Sequence, residues 1–364
     1  MKKILIFATH TGGGHISLAE AIRDRVENNY EVVIVDPQPR MINLHYRTVS
    51  RHALWLWRAE FKLTDGTRRA RLTHEFSKHT FAISILRAIR RVNPQLIIST
   101  YPFLTSEVIY AMRLFRIRRP FLMLFSDPNS VHRSWLTEKR AQATFAPTQE
   151  TYQQALASGF DAQRTYFTGW PVRGQFYHAV PIPLSQLGLV ENRFTIFLQG
   201  GGDGAARFTR TVENLLGIEG VQIILAAGTN AKLLRQFMGR ANIHTLSFTD
   251  EIAPYMAAAD VVMGKAGPNV LFESVTLGKP FIATAYIPGQ EEPNLGFIHR
   301  HRLGWIALKN RSQQYIIRLL ATDRNLLNER IRTVNAYRMM NTAATEQIPS
   351  LIDNFLEESE LVKV

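Results

Sequence analysis

The sequence predicts an α/β chain folded as two Rossmann-like domains that face one another across a cleft. Three observations carry this expectation. Short β-branched and aromatic runs alternate with helical patterns, once between residues 3 and 125 and again from residue 194 onward, and that alternation implies parallel sheets. A glycine-rich loop follows the first strand of each series, Gly12-Gly13-Gly14 in one and Gly200-Gly201-Gly202 in the other. The length, 364 residues, suits two domains that each bury a core.

The first series opens with a strand over 3–8, the glycine loop at 12–14 and a helix from about Ile16 to Asn28. Strands at 31–35, 96–98 and 121–125 follow. The second series runs through strands at 194–198, 221–225, 261–263 and 281–283. The stretch between them contains prolines and is weakly patterned. The expected division is therefore 1–173, a linker at 174–190, a second domain over 191–345, and a C-terminal helix within 346–364 that packs back on the first domain. Ligands of open α/β folds bind outside the carboxyl ends of the strands, so chemistry is expected in the loops there.

Cysteine is absent, which excludes disulfides and thiolate metal sites and permits a cytoplasmic home. No apolar run approaches the ~20 residues that span a bilayer. The chain opens on a strand rather than a leader or transit peptide, so a bacterial, cytoplasmic protein is expected. Its charge is lopsided. Residues 1–173 hold 25 Lys+Arg against 13 Asp+Glu, and residues 47–119 alone hold 15 against 4. The remaining residues nearly balance, at 18 against 17. Such a field draws the first domain toward a polyanion. Between Tyr46 and Arg91 the arginines are interleaved with Trp55, Trp57, Phe61, Phe76 and Phe81. Trp55, Trp57, Arg58, Arg68, Arg69 and Arg71 make a candidate patch for an anionic membrane surface; the alternative is a solvated helix face with the aromatics in the core. A pI near 10.1 would permit nucleic acid, but no recognition motif is present and none is expected to bind.

Five motifs carry chemistry. Thr9-His10-Thr11-Gly12-Gly13-Gly14-His15 leads from a strand into a helix, where backbone N–H groups favour negative charge. His15 at that helix start is disfavoured as a cation, which suits a general base; a capping or packed histidine is the equal alternative. Gln199-Gly200-Gly201-Gly202-Asp203-Gly204 occupies the matching place in the second series and suits a phosphate or sugar contact. Met263-Gly264-Lys265-Ala266-Gly267-Pro268-Asn269 ends a strand and starts a helix at Pro268, which has no N–H to lose there. That helix should stop at Gly278, its N-terminus suits a diphosphate, and Glu273 one turn in suits ribose hydroxyls. Tyr286-Ile287-Pro288-Gly289-Gln290-Glu291-Glu292-Pro293-Asn294 follows a strand and offers Gln290, Glu291 and Asn294 to sugar hydroxyls. Asp127, in Ser126-Asp127-Pro128-Asn129, could orient His15 or could be a turn residue, and Trp135 could meet a lipid or sugar face.

Together these motifs resemble the monogalactosyldiacylglycerol synthase family, which includes bacterial diacylglycerol glucosyltransferases and, more distantly, the peptidoglycan N-acetylglucosaminyltransferase. The most specific pieces are Gly12-Gly13-Gly14-His15; Asp127 with His132 and Trp135; Gly169-Trp170-Pro171-Val172-Arg173; Lys265-Ala266-Gly267-Pro268 with Glu273; and Ile287-Pro288-Gly289-Gln290-Glu291. The resemblance implies a GT-B glycosyltransferase fold and an inverting transfer of galactose or glucose from a UDP-sugar to a lipid, diacylglycerol first, at the inner face of the cell membrane. It implies His15 as the base, supported by Asp127. It implies a donor site from Gly201, Gly202, Gly228, Asn230, Phe248, Thr249, Lys265, Ala266, Gly267, Pro268, Glu273, Gly289, Gln290, Glu291 and Asn294, with Phe248 and Thr249 at the uracil. It implies acceptor contacts from Gly13, Gly14, Pro102, Phe103, His132 and Trp135. Asn269 and Pro293 stand where the plant-like pattern has glycine, and Tyr101 where it has histidine. No Asp-x-Asp signature or metal-ligand cluster is found, so no metal or other cofactor is expected. A UDP-N-acetylglucosamine transferase or an epimerase of the same fold is the alternative.

Overall fold

The computed structural model describes residues 1–10, 14–199 and 208–361. It divides into two units. One gathers Met1–Arg173, Pro288–Gln290 and Met340–Val364; the other gathers Gly174–Ile287 and Glu291–Met339.

The first unit is built on six parallel strands: β1 (Lys2–Phe7), β2 (Tyr30–Val35), β3 (Leu96–Ser99), β4 (Phe121–Leu124), β5 (Ala143–Ala146) and β6 (Thr165–Phe167). Their spatial order is β2-β1-β3-β4-β5-β6. Helices α1 (Gly14–Val26), α2 (Arg40–His52), α3 (Leu54–Thr64), α4 (Thr67–Val92), α5 (Ser106–Leu114), α6 (Arg133–Leu136) and α7 (Gln149–Ala157) connect them. Strands β1, β3 and β4 are buried along nearly their whole length, which is why they read as unbroken apolar runs. In α1, Leu18, Ala19, Ala21, Ile22 and Val26 turn inward at helical spacing. In α4, Phe81, Ala82, Ile85, Leu86, Ile89 and Val92 do the same, and the helix stops at Asn93, whose left-handed φ of 49° precedes Pro94. The chain passes from β1 to β2 on one side and then to β3 on the other. The sheet therefore has its topological switch point between β1 and β3, where loops diverge and leave room for a ligand.

The helix Ile348–Leu361 is counted in this unit. Ile348, Ile352 and Leu356 are buried, and the Tyr30 hydroxyl donates to Asp353 Oδ1 at 2.5 Å. Just before it, Asn341 clasps the Trp170 backbone, accepting from its N–H at 2.8 Å and donating to its carbonyl at 3.0 Å.

The second unit has strands β7 (Phe194–Gln199), β8 (Val221–Gly228), β9 (Ile243–Ser247), β10 (Val261–Lys265), β11 (Phe281–Ala285) and β12 (Gly304–Ile306), in the order β12-β11-β10-β7-β8-β9 and all parallel. This is the doubly wound order with its switch point between β7 and β10. A Cβ on Gly264 would lie 2.3 Å from the Gln199 carbonyl oxygen of β7, so glycine is needed there for the two strands to close. Gly264→Ala should destabilise the protein by about 1–3 kcal/mol through forced separation of β7 and β10. A urea-unfolding midpoint equal to that of the wild type would refute this account of the switch point.

Candidate active site

At the β1/β3 switch point, His15 sits in the first turn of α1, half-buried. Its Nδ1 lies 2.8 Å from the Thr100 carbonyl oxygen just past β3. A carbonyl only accepts, so Nδ1 carries the proton and Nε2 keeps its lone pair. The Thr100 hydroxyl donates back to the His15 carbonyl at 3.1 Å. The Tyr101 ring meets the imidazole edge-on at 4.8 Å. Burial lowers the imidazole to about 4, against the opposing pull of the Thr100 carbonyl and Asp36. His15 is therefore a neutral base of fixed tautomer at neutral pH.

Asp127 does not orient it. The acceptor that does is the Thr100 carbonyl, while Asp127 Oδ2 accepts the His132 N–H at 3.2 Å and closes its own loop. Burial raises the Asp127 carboxyl to about 7 despite that hydrogen bond. His132 caps α6: its Nδ1 accepts from Ser134 N at 3.2 Å, and burial lowers the ring to about 4. Trp135, expected at a ligand face, is fully buried with its ring 5.3 Å from Phe125; the short helix that carries it points it into the sheet's core. Pro102 is buried, and the half-buried Phe103 ring lies 5.6 Å from His132. Gly14 starts α1, whereas Gly13 lies outside the described residues.

Sequence reasoning missed what lies beneath. Phe61, assigned to the membrane stretch, packs its ring 5.0 Å from His132. His74 of α4 is buried, with Nδ1 2.7 Å from Glu107 Oε1 and Nε2 3.2 Å from the Ser134 carbonyl. Burial pushes its imidazole down, but the Glu107 carboxylate outweighs this and raises it. The Ser77 hydroxyl also donates to Glu107. Nothing in the sequence signals this pair, because its members are 33 residues apart on different helices.

In the second unit, Lys265, Ala266, Gly267 and Pro268 form the turn from β10 into the helix Pro268–Thr276. Gly267 N donates to Lys265 O at 2.7 Å, and Pro268 takes the first helical position as expected. Glu273 is buried on that helix. Glu291 and Asn294, expected to face a sugar, are buried and spent on the fold. Glu291 accepts from Lys265 Nζ at 2.5 Å and from Ile287 N at 2.8 Å, and Asn294 donates to Ala266 O at 2.9 Å. A polar loop folded against a strand end must satisfy its own buried groups first. Gly289 has a φ of 85°, and Gln290 is half-buried beside it. Gly228, with a φ of 58°, ends β8. Asn230 caps the next helix by accepting from Leu233 N at 3.0 Å. Phe248, after β9, is 59% exposed. Thr249 beside it accepts from Glu251 N at 3.2 Å. Gly201 and Gly202 lie outside the described residues.

Of the candidate patch, Trp55 is 76% exposed, and Arg58, Arg68, Arg69 and Arg71 are exposed. Phe76, Leu63 and Leu72 on the same two helices are exposed as well. Trp57 is half-buried with its ring 6.3 Å from Phe61, and Phe81 belongs to the core.

Residues 15–172 match the family model of monogalactosyldiacylglycerol (MGDG) synthase, and residues 195–354 match the glycosyltransferase family 28 C-terminal domain. The first part of the chain is thus similar to monogalactosyldiacylglycerol synthases, and the second to the C-terminal domain of family 28 glycosyltransferases. The chain is 27% identical over 331 residues to a probable chloroplastic monogalactosyldiacylglycerol synthase of Nicotiana tabacum, covering 83% of this chain and 61% of that protein. It is 26% identical over 332 residues to monogalactosyldiacylglycerol synthase 2 of Arabidopsis thaliana, covering 83% and 70%. The fold matches that of Acinetobacter baumannii MurG with a TM-score of 0.64 at 16% identity, covering 97% of this chain and all of that one. The B-type glycosyltransferase fold is thereby shown. The chain thus spans about three fifths of the tobacco relative's length.

The raised Asp127 carboxyl makes stability depend on pH. Between about 4 and about 7 the unfolded chain ionises Asp127 before the folded one does. The folded state then holds more protons, so this group's contribution is present at low pH and is lost as pH rises through 7. Asp127→Asn should remove the loss. Its melting temperature should gain on the wild type's as pH goes from 4 to 8, and a constant difference across that range would refute the assignment.

Proposed function

We propose that this protein transfers a hexose, galactose or glucose, from a UDP-sugar to a lipid hydroxyl, diacylglycerol first, with inversion and at the inner face of the cell membrane. The observation that carries the reading is the Nδ1 hydrogen bond of His15 to the Thr100 carbonyl, which leaves a neutral Nε2 at the switch point. The acceptor oxygen attacks the anomeric carbon, the bond from that carbon to the diphosphate oxygen breaks, and Nε2 takes the acceptor's proton. UDP departs with the electron pair. The start of the helix Pro268–Thr276 suits that growing charge without a metal, and Glu273 suits the ribose. The exposed Phe248 suits the uracil and Gln290 the sugar.

The membrane part of the proposal rests on charge and apolar exposure in one place. Trp55, Leu63, Leu72 and Phe76 are exposed alongside Arg58, Arg68, Arg69 and Arg71 on α3 and α4. Among the described residues no helix is long and apolar enough to cross a membrane. Peripheral binding through charge and inserted aromatics fits both facts.

His15→Ala should lower kcat by about 10²–10⁴-fold while UDP still binds. The assay offers labelled UDP-galactose, UDP-glucose and UDP-N-acetylglucosamine with lipid acceptors in EDTA. Near-normal turnover by the folded variant excludes His15 as the base. Turnover of a UDP-sugar without acceptor identifies an epimerase instead.

Vesicle sedimentation tests the membrane contact. Replacing Arg68, Arg69 and Arg71 together by Ser should weaken binding to anionic vesicles, at about 1 kcal/mol per residue, in a salt-dependent way. Trp55→Ser with Phe76→Ser should weaken it at every salt concentration. Equal binding of the wild type to neutral and anionic vesicles would overturn the electrostatic part.

A further inference from the structure

On the outer edge of the second unit's sheet, beside β12, lies a cavity of about 490 Å³ lined by His299, Arg302, Gly304, Trp305, Ile306 and Arg330. In strand order it is two strands beyond β10, whose end carries the Lys265–Pro268 turn. A Cβ on Gly304 would lie 1.7 Å from the Phe281 carbonyl oxygen, so bare backbone forms part of the wall.

Three nitrogen-bearing side chains converge there, and the acid beside them is already engaged. Arg302 Nη2 donates to Glu329 Oε1 at 2.6 Å. Arg330, half-buried, lies over the Trp305 ring with its Cζ 4.7 Å from the centroid. Among the described residues no carboxylate forms an ion pair with it. Burial first, then the Arg302 cation, lowers the Arg330 guanidinium from its ordinary value, against the opposing pull of the Glu329 carboxylate. Glu329 is hydrogen-bonded to Arg302, so two guanidiniums share one carboxylate and an added anion would be attracted to both. Arg302 at the lip also has a left-handed φ of 51°, a conformation rarely taken by residues with long side chains.

We propose that this cavity binds a phosphate-bearing ligand through Arg330 and Arg302, with His299 as a further donor. Two planar guanidiniums offer more donors than one carboxylate can accept, whereas a phosphate presents several oxygens at matching geometry. The contact with Trp305 holds the Arg330 guanidinium in place in advance, which reduces the ordering cost of binding. The cavity is larger than an inorganic phosphate needs, and Trp305 and Ile306 offer apolar surface to whatever carries the phosphate. That carrier is either a soluble ester or a lipid headgroup. The inference stands apart from the transfer reaction, because it concerns a different part of the sheet.

The test uses the full chain without nucleotide, and the Arg330 and Arg302 variants separate phosphate bound in this cavity from phosphate bound at the Lys265–Pro268 turn, which they leave intact. Inorganic phosphate is titrated by calorimetry into wild type, Arg330→Gln and Arg302→Gln, with melting temperatures in phosphate-free buffer as the check on folding. Wild type should bind phosphate, and each folded variant should bind it roughly tenfold more weakly, as expected for losing a charge-assisted hydrogen bond. Arg302 is exposed, so its variant keeps the test valid if Arg330→Gln unfolds. Vesicles of phosphatidylcholine with and without phosphatidylserine then separate the sources. Serine-lipid binding that falls in the variants identifies a headgroup, and vesicle binding unchanged by them identifies a soluble ester. Absence of phosphate binding in the wild type, or equal affinity in all three proteins, overturns the proposal.

Discussion

The hydrogen bond from His15 Nδ1 to the Thr100 carbonyl is the constraint on which the first unit's chemistry depends. It joins the start of α1 to the end of β3, the two segments that diverge at the switch point. The neighbouring strands β1 and β3 bring their carboxyl ends level, with Phe7 paired to Ser99, so the loops that follow begin side by side. An imidazole on one loop can then reach a carbonyl on the other without strain. Because that carbonyl can only accept, one interaction fixes ring orientation and tautomer together. Burial of the same ring removes the cationic form. A longer reach to a carboxylate such as Asp127 would have fixed the tautomer too, but would have favoured the imidazolium and weakened the neutral state of the base.

The second unit solves a different problem at the corresponding place. In the proposed donor role its turn would present backbone N–H groups at a helix start, and side chains there would crowd them. Gly264 closes β10 on β7, Gly267 makes the tight reversal, and Pro268 begins the helix without an amide to leave unsatisfied. The residues that hold this turn come from the start of the helix Glu292–Arg300 that follows β11. Glu291 grips Lys265, and Asn294 grips the Ala266 carbonyl. Rigid backbone donors contribute most when they need not reorganise, so a buried supporting helix start is consistent with a charge-stabilising turn.

The strands that were legible in the sequence are those with a run of several β-branched or aliphatic residues, whether fully buried or, like β2, only partly so. Ile4 to Phe7, Leu96 to Ile98 and Phe121 to Leu124 are covered on both faces and read as apolar runs. Strand β5, Ala-Thr-Phe-Ala, and strand β12, Gly-Trp-Ile, are too short and mixed to stand out. Helix starts were legible where a glycine or proline marks them, as at Gly14 and Pro268. The site was legible to the extent that it rests on local turns. The placement of His15 at the start of α1 and of Pro268 at its helix start followed from neighbouring residues, whereas the Thr100 carbonyl that fixes the His15 tautomer lies 85 residues away. Contacts between distant segments were not legible: Trp135 looked like a ligand platform and is core, Glu291 and Asn294 looked like sugar contacts and hold a loop, and the His74–Glu107 pair gave no local sign at all. A side chain's partner across the fold is decided by packing that no single segment encodes.

These buried groups also explain one another electrostatically. His15 and His132 are kept neutral by burial, and burial inclines Asp127 toward its protonated form. The buried His74, whose imidazole the Glu107 carboxylate raises against burial, lies 2.7 Å from that carboxylate. The interior around the base therefore carries little uncompensated charge. In such a region a charge that appears during reaction is poorly screened, and its energy depends strongly on fixed dipoles. The imidazolium formed when His15 takes a proton would be met by the Asp36 carboxylate, whose field already favours that state. Neutral surroundings at rest and one acid able to answer the new charge are the conditions under which a buried histidine can accept a proton and give it up again.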